Sequence, residues 1–499
     1  MYERMTPALS CTFGSGASMA THKRDLIIRL PSPDVFLKFR RMLIALTLLP
    51  GLACAQFLSD QPPPTIELRV PGTPTCSEID LSAPLDYVTA LNAAVCVNPK
   101  LAKAAGIVAE QAAGRRKAIG AYLPTVSLNV NASRFGKSVS YPGYSAANYG
   151  LRGRTGGYDA TISWLLYDFG VREANLESAS HMLNASVWEE RAVVREMAES
   201  IASAFFKARA AMAASRAAQD AERSAQANLA TAVALLRQGV GTLSDRLLAE
   251  SAYEQAVLHR IDADSESRTA NATLAAAIGS GADSTFLIEG RRTDLALPDE
   301  VPSQEDLFRV GLALNPRVNA LREQVVGAEA RIVAAKRDGL PTISISAGQY
   351  RTATPPNESS VAQDVTGWSV GIQVRIPLFD GFRQRSNVDT LTAQLEQKKS
   401  ELEIAERDAE LAIWSVQEDL QKQRKKLQHT AKILTIAKMA ADAAKVRYTQ
   451  GVGNMLELLK SEADWIDARR ANIRTEADLD LAKIRFVLQT KASSEVVVQ

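Results

Sequence analysis

Two long stretches of the chain carry apolar and polar residues at the three-to-four-residue spacing of an amphipathic helix. These stretches, 171–237 and 382–449, contain neither Gly nor Pro. Each is predicted to be one helix about 100 Å long, because an α-helix rises about 1.5 Å per residue. A Gln-Gly-Val-Gly segment follows each of them and predicts a turn. Return helices with coiled-coil-like spacing of Ala and Leu are predicted over about 242–279 and 454–490.

Four short segments alternate strictly between apolar and polar residues, which is typical of β-strands with one polar face. They lie within 126–131, 159–166, 342–347 and 369–376. Gly, Ser, Pro, Tyr and Asn predict joining loops over about 132–157 and 352–366. Before each strand pair, a helix of some 35 residues is predicted, over about 83–118 and 304–338, and each ends ahead of a Leu-Pro pair.

Several motifs recur in the same order in the two halves of the chain, which indicates an internal duplication. The matching pairs are Asn98-Pro99 and Asn315-Pro316, Leu123-Pro124 and Leu340-Pro341, and the glycine turns at Gln238 and Gln450. The predicted organisation has two repeats, 83–300 and 301–490, between an extended leader (56–82) and a C-terminal tail (491–499).

The first 55 residues are interpreted as an N-terminal extension and a signal peptide. Lys38, Arg40 and Arg41 precede an apolar run over 42–55 that ends in Ala-Cys-Ala. The alternative is lipidation of Cys54. The start of translation is open among Met1, Met19 and Met42.

If the protein is exported, its cysteines enter an oxidising compartment, where they can form a disulfide. Cys76 and Cys96 are the two cysteines that follow the signal, and an even pair in an oxidising compartment predicts a disulfide. This bond would fasten the Pro-rich leader to the first helix. A zinc site would need more ligands nearby, and the three histidines beyond the leader lie on separate polar helical stretches.

The charge balance excludes some functions. With 58 Lys+Arg against 56 Asp+Glu, the formal net charge of +2 gives no electrostatic reason to bind nucleic acid. The sequence contains no group of residues typical of a catalytic site. It therefore predicts neither an enzymatic activity nor a bound cofactor or metal. Energy for any transport must then come from a partner.

Four strands with one apolar face cannot close on themselves. In lipid, an open sheet edge leaves N–H and C=O groups unsatisfied at several kcal/mol each, and the smallest membrane barrels have about eight strands. We therefore expect each chain to contribute its strands to a shared barrel, in which three chains would give twelve strands. The alternative is a soluble four-stranded sheet packed on helices, which would not cover helices of about 100 Å.

The sequence resembles the TolC family of outer-membrane export channels over residues of about 80 to 490. The matching features are the doubled Asn-Pro, Leu-Pro and Gly-Val-Gly motifs and two strand ends. These strand ends are Trp164-Leu165-Leu166-Tyr167-Asp168-Phe169-Gly170 and Pro377-Leu378-Phe379-Asp380-Gly381.

The resemblance implies a mixed α and β fold in a homotrimer. A transmembrane β-barrel, four strands per chain and twelve in the trimer, would lie in outer-membrane lipid of a Gram-negative cell. A long antiparallel, coiled-coil-like α-helical barrel would extend from it into the periplasm. A periplasmic adaptor protein and an inner-membrane ABC exporter or proton-driven pump would complete the machine.

The resemblance also implies a gate at the periplasmic tip. Glu457 falls at the family's first acidic ring and Lys460 at the second, where a lysine departs from the pattern. Asp245 resembles a gate partner, and Gln450 falls where another partner would lie. Three Glu457 carboxylates near a threefold axis would repel each other, which favours dilation or cation binding, and Lys460 would soften that repulsion. The alternative is solvated charges beside a turn.

The channel interpretation leaves two functions open. One is type I secretion of a protein toxin or enzyme, and the other is efflux of drugs or small solutes. A non-lipidated start and the cysteine-bearing leader resemble the secretion-type branch, as found with cyclolysin-type toxin systems. A periplasmic adaptor or a structural coiled-coil protein is an alternative of another class. An adaptor, however, would carry a lipoyl-like β-domain and a single helical hairpin.

Overall fold

The computed structural model describes residues 84–281, 283–284, 286–288, 303–354 and 363–490. All of them belong to one compact unit, Pro62–Gln499. The predicted signal region, the leader up to residue 82 and the tail 491–499 lie outside the described residues.

The elements of the first half recur in the same order and with similar lengths in the second half. In the first half they are α1 (Tyr87–Val97), α2 (Pro99–Gly120), β1 (Thr125–Val139), β2 (Tyr149–Tyr167), α3 (Val171–Arg237) and α4 (Leu243–Ile278). In the second half they are α5 (Gln304–Leu314), α6 (Pro316–Arg337), β3 (Thr342–Thr354), β4 (Gln363–Arg375), α7 (Arg383–Thr449) and α8 (Met455–Thr490). The helices α3 and α7 each have 67 residues, as predicted. A duplication as the origin of this order stays an inference.

The predicted 35-residue helices before the strands are wrong, because each is two helices that meet at an Asn-Pro pair. Asn98 adopts an extended conformation with ψ of 121°, and its side chain accepts a hydrogen bond of 2.9 Å from the Lys100 backbone N–H. Pro99, at the first position of α2, has no N–H to offer and disfavours helical geometry in the residue before it. Asn315 and Pro316 repeat this arrangement between α5 and α6.

The predicted joining loops are also wrong at both ends, because the strands extend into them. Strand residues occupy 132–139 and 149–157 of the first loop, and 352–354 and 363–366 of the second. Residues 355–362 of the second loop lie outside the described residues. The ladder between β1 and β2 extends from Thr125 opposite Ser163 to Val139 opposite Tyr149. The pairing of β2 with the neighbouring strand β3 requires a small residue at Gly157. A Cβ added at Gly157 would collide with the backbone carbonyl oxygen of Arg351 on β3, so a residue without a side chain lets the two strands approach.

The four strands form one antiparallel sheet in the order β1-β2-β3-β4. The central pair, β2 with β3, joins the two halves of the chain. Large apolar side chains on one face of the sheet are exposed, among them Val126, Leu128, Val130, Trp368, Val370 and Ile372. The other face carries polar contacts such as the 2.9 Å hydrogen bond from Asn129 Nδ2 to Asp159 Oδ2.

A buried ion pair fixes the corner where β2 meets α3. Asp168 Oδ2 accepts hydrogen bonds from the Arg172 backbone N–H at 2.9 Å and from Arg172 Nε at 3.0 Å. The same guanidinium donates to the carbonyl oxygens of Leu165 and Leu166 at the end of the strand. Phe169 and Gly170 both have positive φ, 55° and 87°, so the chain turns sharply between strand and helix.

The helices pack around α3, which contacts α2, α4, α6 and α8 along its length. The largest buried apolar cluster joins α1, α3, α4 and the far end of α8. Its aromatic centre is formed by Tyr87, Phe205 and Phe206, with the ring centroids of the two phenylalanines 5.4 Å apart. Across the described residues, the helices all fall short of the length or apolarity needed to cross a membrane.

We expect Asp168→Ala to destabilise the junction much more than Asp380→Ala does. Asp168 is 6% exposed and neutralises Arg172, so its removal leaves a buried charge and costs about 3 kcal/mol. Asp380 is exposed and accepts a backbone hydrogen bond of 2.8 Å from Gln384 at the other strand-to-helix corner. Its loss costs about 1 kcal/mol, as for a helix cap.

The folded fraction of each variant in detergent is measured as a function of temperature, with gel migration as the readout. Equal losses for Asp168→Ala and Asp380→Ala would contradict the buried-pair explanation.

Candidate functional site

The two glycine turns lie side by side at one end of the helices, and we call residues 238–242 and 450–454 with the adjoining helix ends the hairpin tip. Gly239 and Gly451 have φ of 77° and 75°, the left-handed region that favours glycine. A Cβ added at Gly451 would lie 3.9 Å from Cγ1 of Val240 in the other turn. The two hairpins α3–α4 and α7–α8 therefore end together.

The second glycine of each turn is required by close packing against the preceding helix. A Cβ added at Gly241 would lie 3.0 Å from the Leu236 backbone nitrogen, and one at Gly453 would lie 3.1 Å from that of Tyr448. Just above the turns, a small apolar cluster holds all four helices together. Its buried members are Ala232, Ala249, Ala444, Tyr448, Met455 and Leu458.

Asp245, predicted as a gate partner, caps the N-terminus of α4. Its backbone N–H donates to Thr242 Oγ1 at 3.0 Å, and its Oδ2 accepts from the Thr242 backbone N–H at 3.2 Å and hydroxyl at 2.8 Å. This capping box satisfies backbone N–H groups at the helix start. The carboxylate also faces Tyr448 closely enough to affect its ionisation.

Glu457, predicted for an acidic ring, lies in the first turn of α8 and is paired within its own chain. Its carboxylate forms an ion pair with Arg447 at the end of α7, and both side chains are about half exposed. Its backbone N–H donates to the Asn454 side chain at 2.7 Å. Arg447, rather than Lys460, is thus the cation that meets this carboxylate.

The other two predicted gate residues occupy the same region. Gln450 is the C-cap of α7 and donates its backbone N–H to Val446 at 3.1 Å. Lys460 lies one turn after Glu457 and pairs with Asp464 at 2.5 Å, with both side chains mostly exposed. The structure therefore brings all four predicted residues to the hairpin tip, while their roles in a gate stay a prediction.

Tyr448 was not singled out by the sequence. Its side chain is 4% exposed, and its hydroxyl has no hydrogen-bond partner among the described residues. Burial raises the pKa of this hydroxyl, and the negative charge of Asp245 raises it further. The sequence signal for its importance was its position, because Tyr448 lies in the last helical turn before Gly451. There it belongs to the buried cluster that includes Ala232 and Ala249 of the other hairpin.

Cys96 lies in α1 and takes part in a disulfide. Its predicted partner Cys76 lies outside the described residues, so the pairing between these two cysteines stays a prediction. Within the described residues, His, Cys, Asp and Glu side chains form no group suited to hold a metal ion.

The sequence profile described as "Outer membrane efflux protein" matches residues 90–280 and 309–487. The chain belongs to this family. Both halves of the chain are matched, and together the two segments cover most of its length.

Individual relatives agree with this assignment. Protein CyaE of Bordetella pertussis is 26% identical over 430 residues, which cover 86% of this chain and 88% of CyaE. The structure of CusC, described with transmembrane channel formation, superposes with a TM-score of 0.70 at 19% identity and covers 83% of this chain and 94% of CusC. The outer membrane protein VceC of Vibrio cholerae gives a TM-score of 0.66 at 17% identity, with coverage of 83% and 96%. The two structures establish the fold.

Membership of the efflux-channel family places the protein in the outer membrane of a Gram-negative cell, with its helices extending into the periplasm. The TolC-like resemblance is thereby confirmed. The family consists of channel proteins rather than enzymes.

We expect Tyr448→Phe to leave the hairpin tip at least as stable as the native protein. The variant keeps the packing and removes a buried hydroxyl that has no hydrogen-bond partner among the described residues, so the free energy of unfolding rises by at most about 1 kcal/mol.

The dependence of stability on pH also changes in this variant. The unfolded Tyr448 ionises near pH 10 and the folded one at higher pH, so native stability falls above about pH 10.

Thermal unfolding of native and variant protein at pH 7 and pH 10.5 tests this expectation. The variant should lose less stability between the two values. Tyr448→Ala, which leaves a cavity, should cost about 3 kcal/mol at both. A Tyr448→Phe variant as unstable as Tyr448→Ala would show that the hydroxyl has a partner.

Proposed function

We propose that the protein is the outer-membrane channel-tunnel of a type I secretion system, and that it acts as a homotrimer. In this function it exports a protein toxin or enzyme together with an inner-membrane ABC exporter and a periplasmic adaptor protein. The main observation that supports a channel function is an open sheet with an exposed apolar face, which is connected to helices of 67 residues.

The argument for a trimer starts from the sheet edges. Within the described residues, β1 pairs with β2 and β4 pairs with β3, so each outer strand has one free edge. Free edges in lipid leave backbone groups unsatisfied. Pairing β4 of one chain with β1 of the next satisfies them, and three chains make a barrel of twelve strands, within the range of about 8 to 26 seen in outer-membrane barrels.

The helices support the same arrangement. Exposed apolar residues recur along one stripe of α4 at Leu243, Leu247, Leu258 and Ile261. On α7 another stripe contains Ile433, Ile436 and Met439. A neighbouring chain that covers both stripes closes a helical barrel below the strands.

Secretion is favoured over efflux by the leader. The cysteine-bearing Pro-rich segment after the predicted signal resembles the secretion-type branch. The family description and a relative named as an outer membrane efflux protein, BepC of Brucella suis, support efflux of small molecules as the second candidate. A strain that lacks the gene separates the two, since loss of one protein from the culture medium supports secretion and drug sensitivity with unchanged secretion supports efflux.

Ile372→Lys should prevent assembly in the membrane, whereas Gln373→Lys should be tolerated. These neighbouring residues of β4 point to opposite faces of the sheet, and Ile372 is on the exposed apolar face. A lysine that faces lipid costs about 2–4 kcal/mol per chain near the bilayer midplane, while one that faces a wet lumen costs little.

Outer-membrane fractionation and heat-modifiable gel migration of the two variants measure the difference. Normal assembly of Ile372→Lys would overturn the barrel and favour a water-exposed sheet.

We expect Arg447→Gln to increase the cation preference of the reconstituted channel and Glu457→Gln to decrease it. The ion pair between these residues masks the carboxylate, so removing the arginine uncovers a negative charge at the hairpin tip. Because exposed pairs are worth at most about 1 kcal/mol, a roughly twofold change in the permeability ratio of K⁺ to Cl⁻ is expected. Lys398→Gln, far from the tip on α7, serves as the control. An unchanged ratio in both tip variants would place the pair away from the conducting path.

A further inference from the structure

The end of hairpin β1–β2 that points away from the helices carries only positive charges. The chain has no Asp or Glu from residue 111 to residue 158. The hairpin has four basic residues in that stretch, Arg134, Lys137, Arg152 and Arg154, and all four are exposed. Because the helices extend into the periplasm, this end of the hairpin lies on the outer side of the membrane.

The three arginines lie on the face of the sheet that carries the exposed apolar side chains. Side chains alternate between the two faces of a strand, and the ladder between β1 and β2 has no register shift along β1. Arg134 therefore shares its face with Leu128 and Val130, both of which are exposed. Lys137 is on the opposite face.

The arginines are neighbours across the two strands, and we call Arg134, Arg152 and Arg154 the outer basic patch. Arg154 lies directly opposite Arg134, and Arg152 lies opposite Gly136. A Cβ added at Gly136 would lie 3.9 Å from Cγ of Arg152. The side chain of Arg152 therefore extends over this glycine, beside Arg134 on the same face.

The charge of the patch is not balanced within the sheet. Directly opposed residues have Cβ atoms about 4.5–5.5 Å apart, and like charges at such positions destabilise the pairing of strands. Within the described residues, Arg134 and Arg154 have no ion-pair partner. Asp159 on β2 is on the other face, where it accepts a hydrogen bond of 2.9 Å from Asn129. An anion from outside the chain would offset the repulsion.

Hairpin β3–β4, in contrast, neutralises the arginine that it carries on the apolar face. Arg351 shares this face because it lies opposite Tyr158, which lies opposite Val130. Its Nε donates to Asp364 Oδ1 at 3.0 Å and its Nη2 to Oδ2 at 2.6 Å. A phosphate group matches the guanidinium fork in the same bidentate way as this carboxylate does.

The outer basic patch lies just beyond the apolar band, where lipid headgroups are expected. Arg134 follows Val130 by four residues, which is about 13 Å along the strand. Tyr158 has the position of the aromatic girdle that borders the apolar band of outer-membrane barrels. Long arginine side chains at such a boundary reach the headgroups with their charged ends. In the outer leaflet of a Gram-negative outer membrane, these headgroups are largely the phosphorylated glucosamines of a glycolipid.

We propose that the outer basic patch binds the phosphate groups of this outer-leaflet glycolipid, with one phosphate between Arg134 and Arg154. The bound phosphate removes the repulsion between the two arginines and attaches the outer end of the hairpin to the lipid. The proposal rests on the proposed barrel, because the apolar face must face lipid. It does not depend on the choice between secretion and efflux.

Binding of lipid A, the phosphorylated glucosamine anchor of this glycolipid, tests the proposal. The full-length protein in nonionic detergent is titrated with bisphosphorylated lipid A and with its dephosphorylated form, and bound lipid is counted by native mass spectrometry. The native protein should bind the bisphosphorylated form at least tenfold more tightly. Inorganic phosphate at 1 mM should not displace it, because the free anion lacks the acyl chains that contact the apolar face.

Arg134→Gln and Arg154→Gln should each weaken binding of bisphosphorylated lipid A by roughly fivefold, the factor expected for one basic residue beside an anionic lipid surface. Neither variant should change binding of the dephosphorylated form. Lys137→Gln removes the same charge from the other face of the same hairpin and should bind as the native protein does. Heat-modifiable gel migration shows that each variant has assembled, and Arg134→Gln should assemble normally because it relieves a like-charge contact.

Three results would overturn the proposal. Equal affinity of the native protein for the two forms of lipid A would mean that only the apolar face contacts the lipid. Equal weakening by Lys137→Gln would assign the effect to net charge. Displacement of lipid A by inorganic phosphate would show a site for free anions. Each of these results, in protein that migrates normally, leaves the barrel intact, whereas failure of the barrel is detected separately by normal assembly of Ile372→Lys.

Discussion

The free edges of the sheet are the constraint on which the other features of this protein depend. A strand in lipid must pair all its backbone N–H and C=O groups, and β1 and β4 each leave one edge unpaired within the described part of the chain. The exposed apolar face makes water an unsuitable environment for this sheet. The proposed shared barrel would resolve both difficulties, and it would set the direction in which the long helices leave the membrane.

The corners between strand and helix fix the orientation of the long helices relative to the strands. At the first corner, Asp168 and Arg172 tie the end of β2 to the start of α3, with two residues in the left-handed region between them. The second corner uses the same two backbone conformations at Gly381 and Phe382. The order of glycine and phenylalanine is reversed between the two corners, which shows that the backbone shape matters there more than the residue order.

Much of the fold could be predicted because it is local. Glycine and proline are absent from 171–237, and the structure has one helix over that range. The errors in the predicted strands arose where the local composition indicated a loop but the backbone still pairs with a neighbouring strand. Glycine and serine after residue 131 were interpreted as a loop, yet the ladder with β2 continues to Val139, since backbone pairing requires no apolar side chain. The break at Asn98 was missed because helical periodicity continues on both sides of it.

The sequence by itself determined the two long helices, the glycine turns and the apolar face of each strand, because these depend on neighbours within a few residues. It also placed Asp245, Gln450, Glu457 and Lys460 near a turn. Only the tertiary structure decided the contacts between different helices. Arg447 meets Glu457, Tyr448 is buried beside Asp245, and α3 meets α8 through ion pairs between residues more than 200 positions apart. Such contacts depend on the register of two long helices, where a shift of one residue rotates every side chain by about 100°, and no local pattern specifies that register.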